Sequence, residues 1–139
     1  VAIDTAGYGN GNYEEILKYV DLIIFDVKHT NPNDYKDLTS RDIKESEKFI
    51  AAANKLNKKF WIRQVIVPGI TDNMEYLESL KEYLKKINNI EKIDFLPFHH
   101  LGEEKYKQLG MTYSFKKTPE MDVKKCETLY NKFMKMMEK

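Results

Sequence analysis

Four apolar runs, VAI (1–3), LIIFDV (22–27), FWIRQVIV (60–67) and KIDFLPF (92–98), alternate with stretches patterned as helices. This alternation constrains the fold more than any other feature of the chain. Strands joined through helix-length connections run parallel, because an antiparallel neighbour is reached by a short hairpin. Parallel strands are covered on both faces, and their sequences are apolar almost throughout, as these are. The β-α order over 1–139 predicts one α/β domain of parallel βα repeats with about four strands.

The connections carry helix signals of unequal clarity. Asn12 with Glu15 reads as a capping box opening a helix to about Val20, and Asp72 with Glu75 as a second one. The helix after Asp72 places Leu77, Leu80, Leu84 and Ile87 on one face. Ser40 is expected to open a helix whose apolar residues Ile43, Phe49, Ile50, Ala53 and Leu56 share a face only loosely. Thr118-Pro119 is expected to start the last helix, with Pro at its tolerated first position and Cys126, Leu129, Tyr130, Phe133 and Met137 as the inner stripe. KHTNPND reads as a loop, LGEEKYKQLG as a loop with a short helix, and Pro68-Gly69 as a turn.

Within LIIFDVKHTNP, an apolar strand ends in an Asp and a Lys two residues apart. Side chains alternate along a strand, so Ile24, Asp26 and Lys28 share a face, and buried charges there need partners or a ligand. The other strands also end in reactive or charged groups: Asp4 and Thr5 on the first, Arg63 within the third, His99 and His100 on the last. Parallel α/β folds bind ligands outside the carboxyl ends of their strands. Two carboxylates suit a hard cation, and Lys28 and Arg63 suit a ligand bearing carboxylate or hydroxyls. The residues by themselves describe a small-molecule site of mixed charge. A Schiff-base lysine at Lys28 and a stand-alone receiver-like or ligand-binding module remain open on this reading. His99 and His100 are adjacent and face opposite ways on a strand, a weak basis for zinc. DTAGYGNG lacks the spacing of a dinucleotide loop.

Charge excludes two partner classes. With 23 basic and 22 acidic residues the net charge is +1, so there is no electrostatic footprint for nucleic acid and no polybasic membrane patch. No apolar run approaches the roughly 20 residues of a membrane span. Cys126 is the single cysteine, so no intramolecular disulfide forms, and a buried structural thiol in a reduced, cytoplasmic setting is expected. The chain begins VAIDT without an initiator Met, and we expect a piece of a longer polypeptide that starts inside a strand.

The segments IDTAGYG, LIIFDVKH, KFWIRQVIVPGITDN and IDFLPFHHLGEEKYKQLG, in this order and spacing, closely resemble the pyruvate formate-lyase activating enzymes. These are radical S-adenosylmethionine proteins that install a glycyl radical on a partner enzyme. The WIR-x-V-x-VPG and LP-[FY]-H-x-LG patterns are the most specific; activases of other glycyl-radical enzymes resemble the chain at DTAG and VPG. The resemblance implies a partial (β/α)6 TIM-like barrel, of which residues 1–139 form the C-terminal part. It implies that Lys28, Arg63 and His99 make polar contacts to S-adenosylmethionine and that Val65 and Leu96 make apolar ones. It further implies a monovalent cation held by Asp4, Thr5, Asp26 and the carbonyl of Ile24. The activity implied is cleavage of S-adenosylmethionine to a 5′-deoxyadenosyl radical that takes hydrogen from a glycine of pyruvate formate-lyase, with a flavodoxin or ferredoxin-like electron donor.

Two departures accompany the resemblance. The family's tyrosine before the conserved-pattern histidine is Phe98 here, and the three cysteines of its CxxxCxxC motif, which hold a [4Fe–4S] cluster, are absent. Residues 1–139 alone are therefore expected to be inactive, to bind S-adenosylmethionine weakly, and to self-associate through apolar surface that the rest of a barrel would cover.

Overall fold

A computed structural model describes residues 2–7, 12–99 and 118–138. Its elements follow the chain as β1 (Ala2–Thr5), α1 (Tyr13–Leu17), β2 (Leu22–Val27), α2 (Pro32–Thr39), α3 (Ile43–Lys55), β3 (Lys59–Ile66), α4 (Met74–Leu84), β4 (Ile90–Pro97) and α5 (Val123–Met137). The described strands form one parallel sheet in the order β1-β2-β3-β4, so spatial order equals chain order. That order has no reversal of the kind that marks a doubly wound sheet, and matches successive staves of a barrel.

The two faces of the sheet differ in chemistry. Ile23, Phe25, Val27, Phe60, Ile62, Ile66 and Ile93 are buried on one face beneath the helices. Phe25 meets Phe49 of α3 and Phe60 of β3 at ring distances of 6.0 and 5.8 Å, and Phe95 meets Phe133 of α5 at 5.2 Å. The opposite face carries Asp4, Asp26, Trp61, Arg63 and Asp94, set by the register that pairs Asp4 with Ile24, Asp26 with Arg63 and Arg63 with Asp94.

Several expected helix starts shift, each for a local reason. Pro32 opens α2, which the loop reading of KHTNPND overlooked; the Asn31 side chain caps it by accepting the N–H groups of Asn33 and Asp34 at 2.9 and 3.1 Å. Ser40 ends that helix in a left-handed conformation, and Asp42 caps α3 instead. Asn73, not Asp72, caps α4 by accepting the Tyr76 N–H, while Asp72 accepts the Gly69 N–H and pairs with Lys125. Asn12 precedes α1 without a side-chain capping bond, and α1 ends at Leu17. Asp122 caps α5, four residues later than the Thr118-Pro119 signal. The loose face of α3 is completed by Ser46, a buried hydroxyl that bonds the Ala6 carbonyl at 2.8 Å and the Tyr35 hydroxyl at 2.9 Å. The segment LGEEKYKQLG lies outside the described residues.

Two glycines have conformations that other residues rarely adopt. Gly7 has φ +78° and Gly69 φ +79°. Gly69 is the third residue of a Val67–Ile70 turn closed by Ile70 N–H to Val67 C=O at 3.1 Å, with Pro68 before it.

Candidate functional site

The carboxyl ends of β1, β2 and β3 converge on one ionic cluster. Arg63 donates from Nε to Asp26 Oδ1 and from Nη2 to Asp26 Oδ2, each at 2.9 Å, and its Nη2 also reaches Asp4 Oδ1 at 2.6 Å. The two-point contact with Asp26 follows from the register, since Asp26 and Arg63 are directly paired residues of adjacent parallel strands. Such a fork is among the stronger ionic geometries. Burial raises the Asp26 carboxyl above its ordinary range, against the opposing pull of Arg63 and Lys28.

Lys28 follows the end of β2 and is 5% exposed. Burial pushes its ammonium down to about 8, with Asp26 and Asp4 opposing that fall. Among the described residues it makes no ion pair within 4.0 Å, and its nearest opposite charges are the carboxylates of Asp26 and Asp4. Val65 and Leu96 are register partners on β3 and β4 and give the same face an apolar floor. Ile24 lies between Asp4 and Trp61 across the sheet. Thr5 stands apart: its hydroxyl accepts the Gly7 N–H at 3.0 Å within the loop after β1. His99 lies exposed just beyond β4, at the same end of the sheet, and His100 lies outside the described residues.

A second tier beside Arg63 went unread in the sequence. The Trp61 indole donates to Asp94 Oδ2 at 2.8 Å, and the Lys92 ammonium sits 4.4 Å over the Trp61 ring and 3.5 Å from Asp94. The period-two spacing of Trp61, Arg63 and Val65, and of Lys92, Asp94 and Leu96, was the signal that these residues share a face. Buried Gln64, Thr71 and Tyr76 were also missed. Thr71 accepts the Val67 N–H and donates to the Val65 carbonyl, and Tyr76 donates to Gln64 Oε1 at 2.6 Å, which fixes the end of β3 from behind.

The donor set matches some of the groups the resemblance implies and not others. Asp4 and Asp26 offer carboxylate oxygens of the kind a hard cation takes, and the Arg63 guanidinium bonds both oxygens of Asp26 and one of Asp4. Lys28 and Arg63 fit a ligand with a carboxylate and hydroxyls. An iron–sulfur cluster does not fit: Cys126 is the sole cysteine, buried on α5, with its thiol pushed up to about 11.

Sequential parallel strands, helices on one face and charged groups gathered at the strand ends define the class as part of a TIM-like α/β barrel. Over nearly its whole length the chain is similar to curated proteins named pyruvate formate-lyase-activating enzyme. It is 42% identical over 137 residues to the protein of that name from Clostridium pasteurianum, covering 99% of this chain and 58% of the relative. It is 34% identical over 127 residues to the one from Staphylococcus epidermidis, covering 91% of this chain and 50% of the relative. The chain thus spans about half the length of the curated relatives it matches. No family model matches it. The crystal structure of a domain of the pyruvate formate-lyase-activating enzyme from Bacteroides vulgatus superposes with a TM-score of 0.69, covering 95% of this chain and 75% of that one. At 15% identity that likeness speaks for the fold alone.

Proposed function

We propose that this chain is the C-terminal part of a radical S-adenosylmethionine activase for pyruvate formate-lyase, and that its share of the work is to seat the cofactor. The observation that carries the proposal is the convergence of Asp4, Asp26, Lys28 and Arg63 at the carboxyl ends of three adjacent strands, in a homologue of proteins with that name. S-adenosylmethionine, when bound beside an iron–sulfur cluster held outside this chain, supplies the radical that takes hydrogen from a glycine of the partner. The residues here bind and orient it. Lys28 and Arg63 hold polar groups of the cofactor, Val65 and Leu96 line its apolar side, and His99 reaches it from the end of β4. Asp4 and Asp26, with Thr5 and the Ile24 carbonyl, are assigned a monovalent cation, for which Arg63 and the Thr5 hydroxyl would first leave the partners they hold in this structure.

A flavodoxin or ferredoxin-like electron donor and a cytoplasmic setting belong to the same proposal. Among the described residues no helix is long and apolar enough to cross a membrane. Alignment by positioning is sensitive to errors near ~1 Å. In the longer polypeptide, Arg63→Ala and Asp26→Ala should each lower the glycyl-radical yield on pyruvate formate-lyase by about 100-fold, read by electron paramagnetic resonance. Undiminished radical yield in both variants refutes the assignment.

A further inference from the structure

Arg63 stands between two carboxylates and bonds to one side only. Its register partners are Asp26 on β2 and Asp94 on β4, and the three side chains share a face of the sheet. Among the described residues its ion pairs run toward β2 and β1, to Asp26 at 2.9 Å and to Asp4 at 2.6 Å, and none joins it to Asp94. Asp94 is engaged from another direction. Trp61 and Lys92, themselves register partners, lie two residues earlier on β3 and β4. The Trp61 indole reaches diagonally to Asp94 Oδ2 at 2.8 Å. The Lys92 ammonium lies 3.5 Å from the same oxygen and 4.4 Å over the Trp61 ring. An indole N–H only donates, so Trp61 occupies an acceptor within the reach of Arg63 and leaves Asp26 and Asp4 untouched.

We propose that Trp61 and Lys92 are positioning residues for Arg63: by occupying and neutralising Asp94, they turn the guanidinium wholly toward Asp26 and Asp4. Without them Asp94 would be an unanswered carboxylate directly across from Arg63, and attraction over so short a distance would divide the guanidinium between β2 and β4. With them it has one resting place, fixed by the two-point contact with Asp26. The consequence for a ligand rests on reading Arg63 as a cofactor contact. A guanidinium already set in one place meets the cofactor without first being drawn from a second carboxylate, and the alignment of the reacting groups inherits that precision.

The arginines of the chain are Arg41 and Arg63, so magnetic resonance of an arginine-labelled sample resolves the Arg63 Nε–H beside that of exposed Arg41. The readout is exchange of the Arg63 Nε–H with water, which its bond to Asp26 Oδ1 slows. Trp61→Phe combined with Lys92→Gln should speed that exchange by about 10-fold, and adding Asp94→Asn should return it to the unmodified rate. Packing lost with the indole is not restored by Asp94→Asn, so the rescue separates steering from mere support. An unchanged rate in the double variant, or a rise that Asp94→Asn does not reverse, overturns the proposal. Should the double variant fail to fold, Lys92→Gln alone decides, since that side chain is 56% exposed. There a rise of about 3-fold that Asp94→Asn reverses is expected, and no rise, or one that is not reversed, overturns the proposal. These rates are read without cofactor and the glycyl-radical yield with it, so either reading can fail while the other stands.

Discussion

At the scale of single residues, the bonds of the ionic cluster are set between strands, where Asp26 and Arg63 meet as register partners of β2 and β3. Asp26, Lys28 and Arg63 were visible because charges inside apolar strands are conspicuous, and their shared face followed from period two. Which carboxylate meets Arg63 depends on the register between strands, and a slip of one residue would turn Arg63 to the other face. His29 was missed altogether. It is 7% exposed; its Nδ1 accepts the Asn31 N–H at 3.0 Å, its Nε2 lies 3.9 Å from Asp34, and its ring stands edge-on to Tyr76. A protonated Nδ1 could not accept that N–H, which helps to shape the turn into α2. Burial holds the imidazole below its ordinary value near 6.5, with Asp34 opposing. The unfolded chain then binds this proton first, so the contribution is intact above pH 6.5 and is lost as pH falls through the folded value. Denaturant titrations between pH 8 and pH 5 should show stability declining on the acid side, with the decline reduced in His29→Gln. An identical pH profile in that variant would count against this role.

At the scale of elements, strands were legible and helix starts were not. β2 falls on the expected residues because an apolar run bounded by polar turns has little freedom. Capping is decided by one side chain's geometry among neighbouring candidates, as with Asn73 beside Asp72. α2 was hidden because Asn31-Pro32 signals a turn and a helix start equally well. The loop after β1 illustrates a tighter constraint. A Cβ on Gly7 would lie 2.9 Å from Phe25 Cε2 and 3.2 Å from the Ser46 Cα, whereas one on Gly69 would meet nothing within 4 Å. The two share a positive φ, so they separate backbone strain from crowding. Gly69→Ala should cost about 1 kcal/mol and Gly7→Ala about 2–4 kcal/mol, measured by equilibrium unfolding. Equal costs would show that the loop yields to the added methyl.

For the molecule as a whole, the fold class was readable from alternation alone, since four apolar runs with helical connections leave few topologies. The described β1 and β4 each pair on one side only. The charged face also carries partly covered Leu22, Ile24, Trp61 and Leu96. Open edges beside apolar surface favour pairing between copies. Sedimentation velocity should therefore show dimers or larger species growing with concentration, and a sharp monomer at the highest concentrations would argue against it.

The matching of spatial order to chain order has a consequence for synthesis. Each new strand emerging from the ribosome finds its neighbour already in place at the growing edge, and no later segment must be inserted between two finished strands. The ionic cluster is assembled in the same sequence. Asp4 and Asp26 come first and repel each other across β1 and β2, until β3 arrives with Arg63. Docking of the third strand thus supplies the guanidinium that joins the carboxylates of the first two.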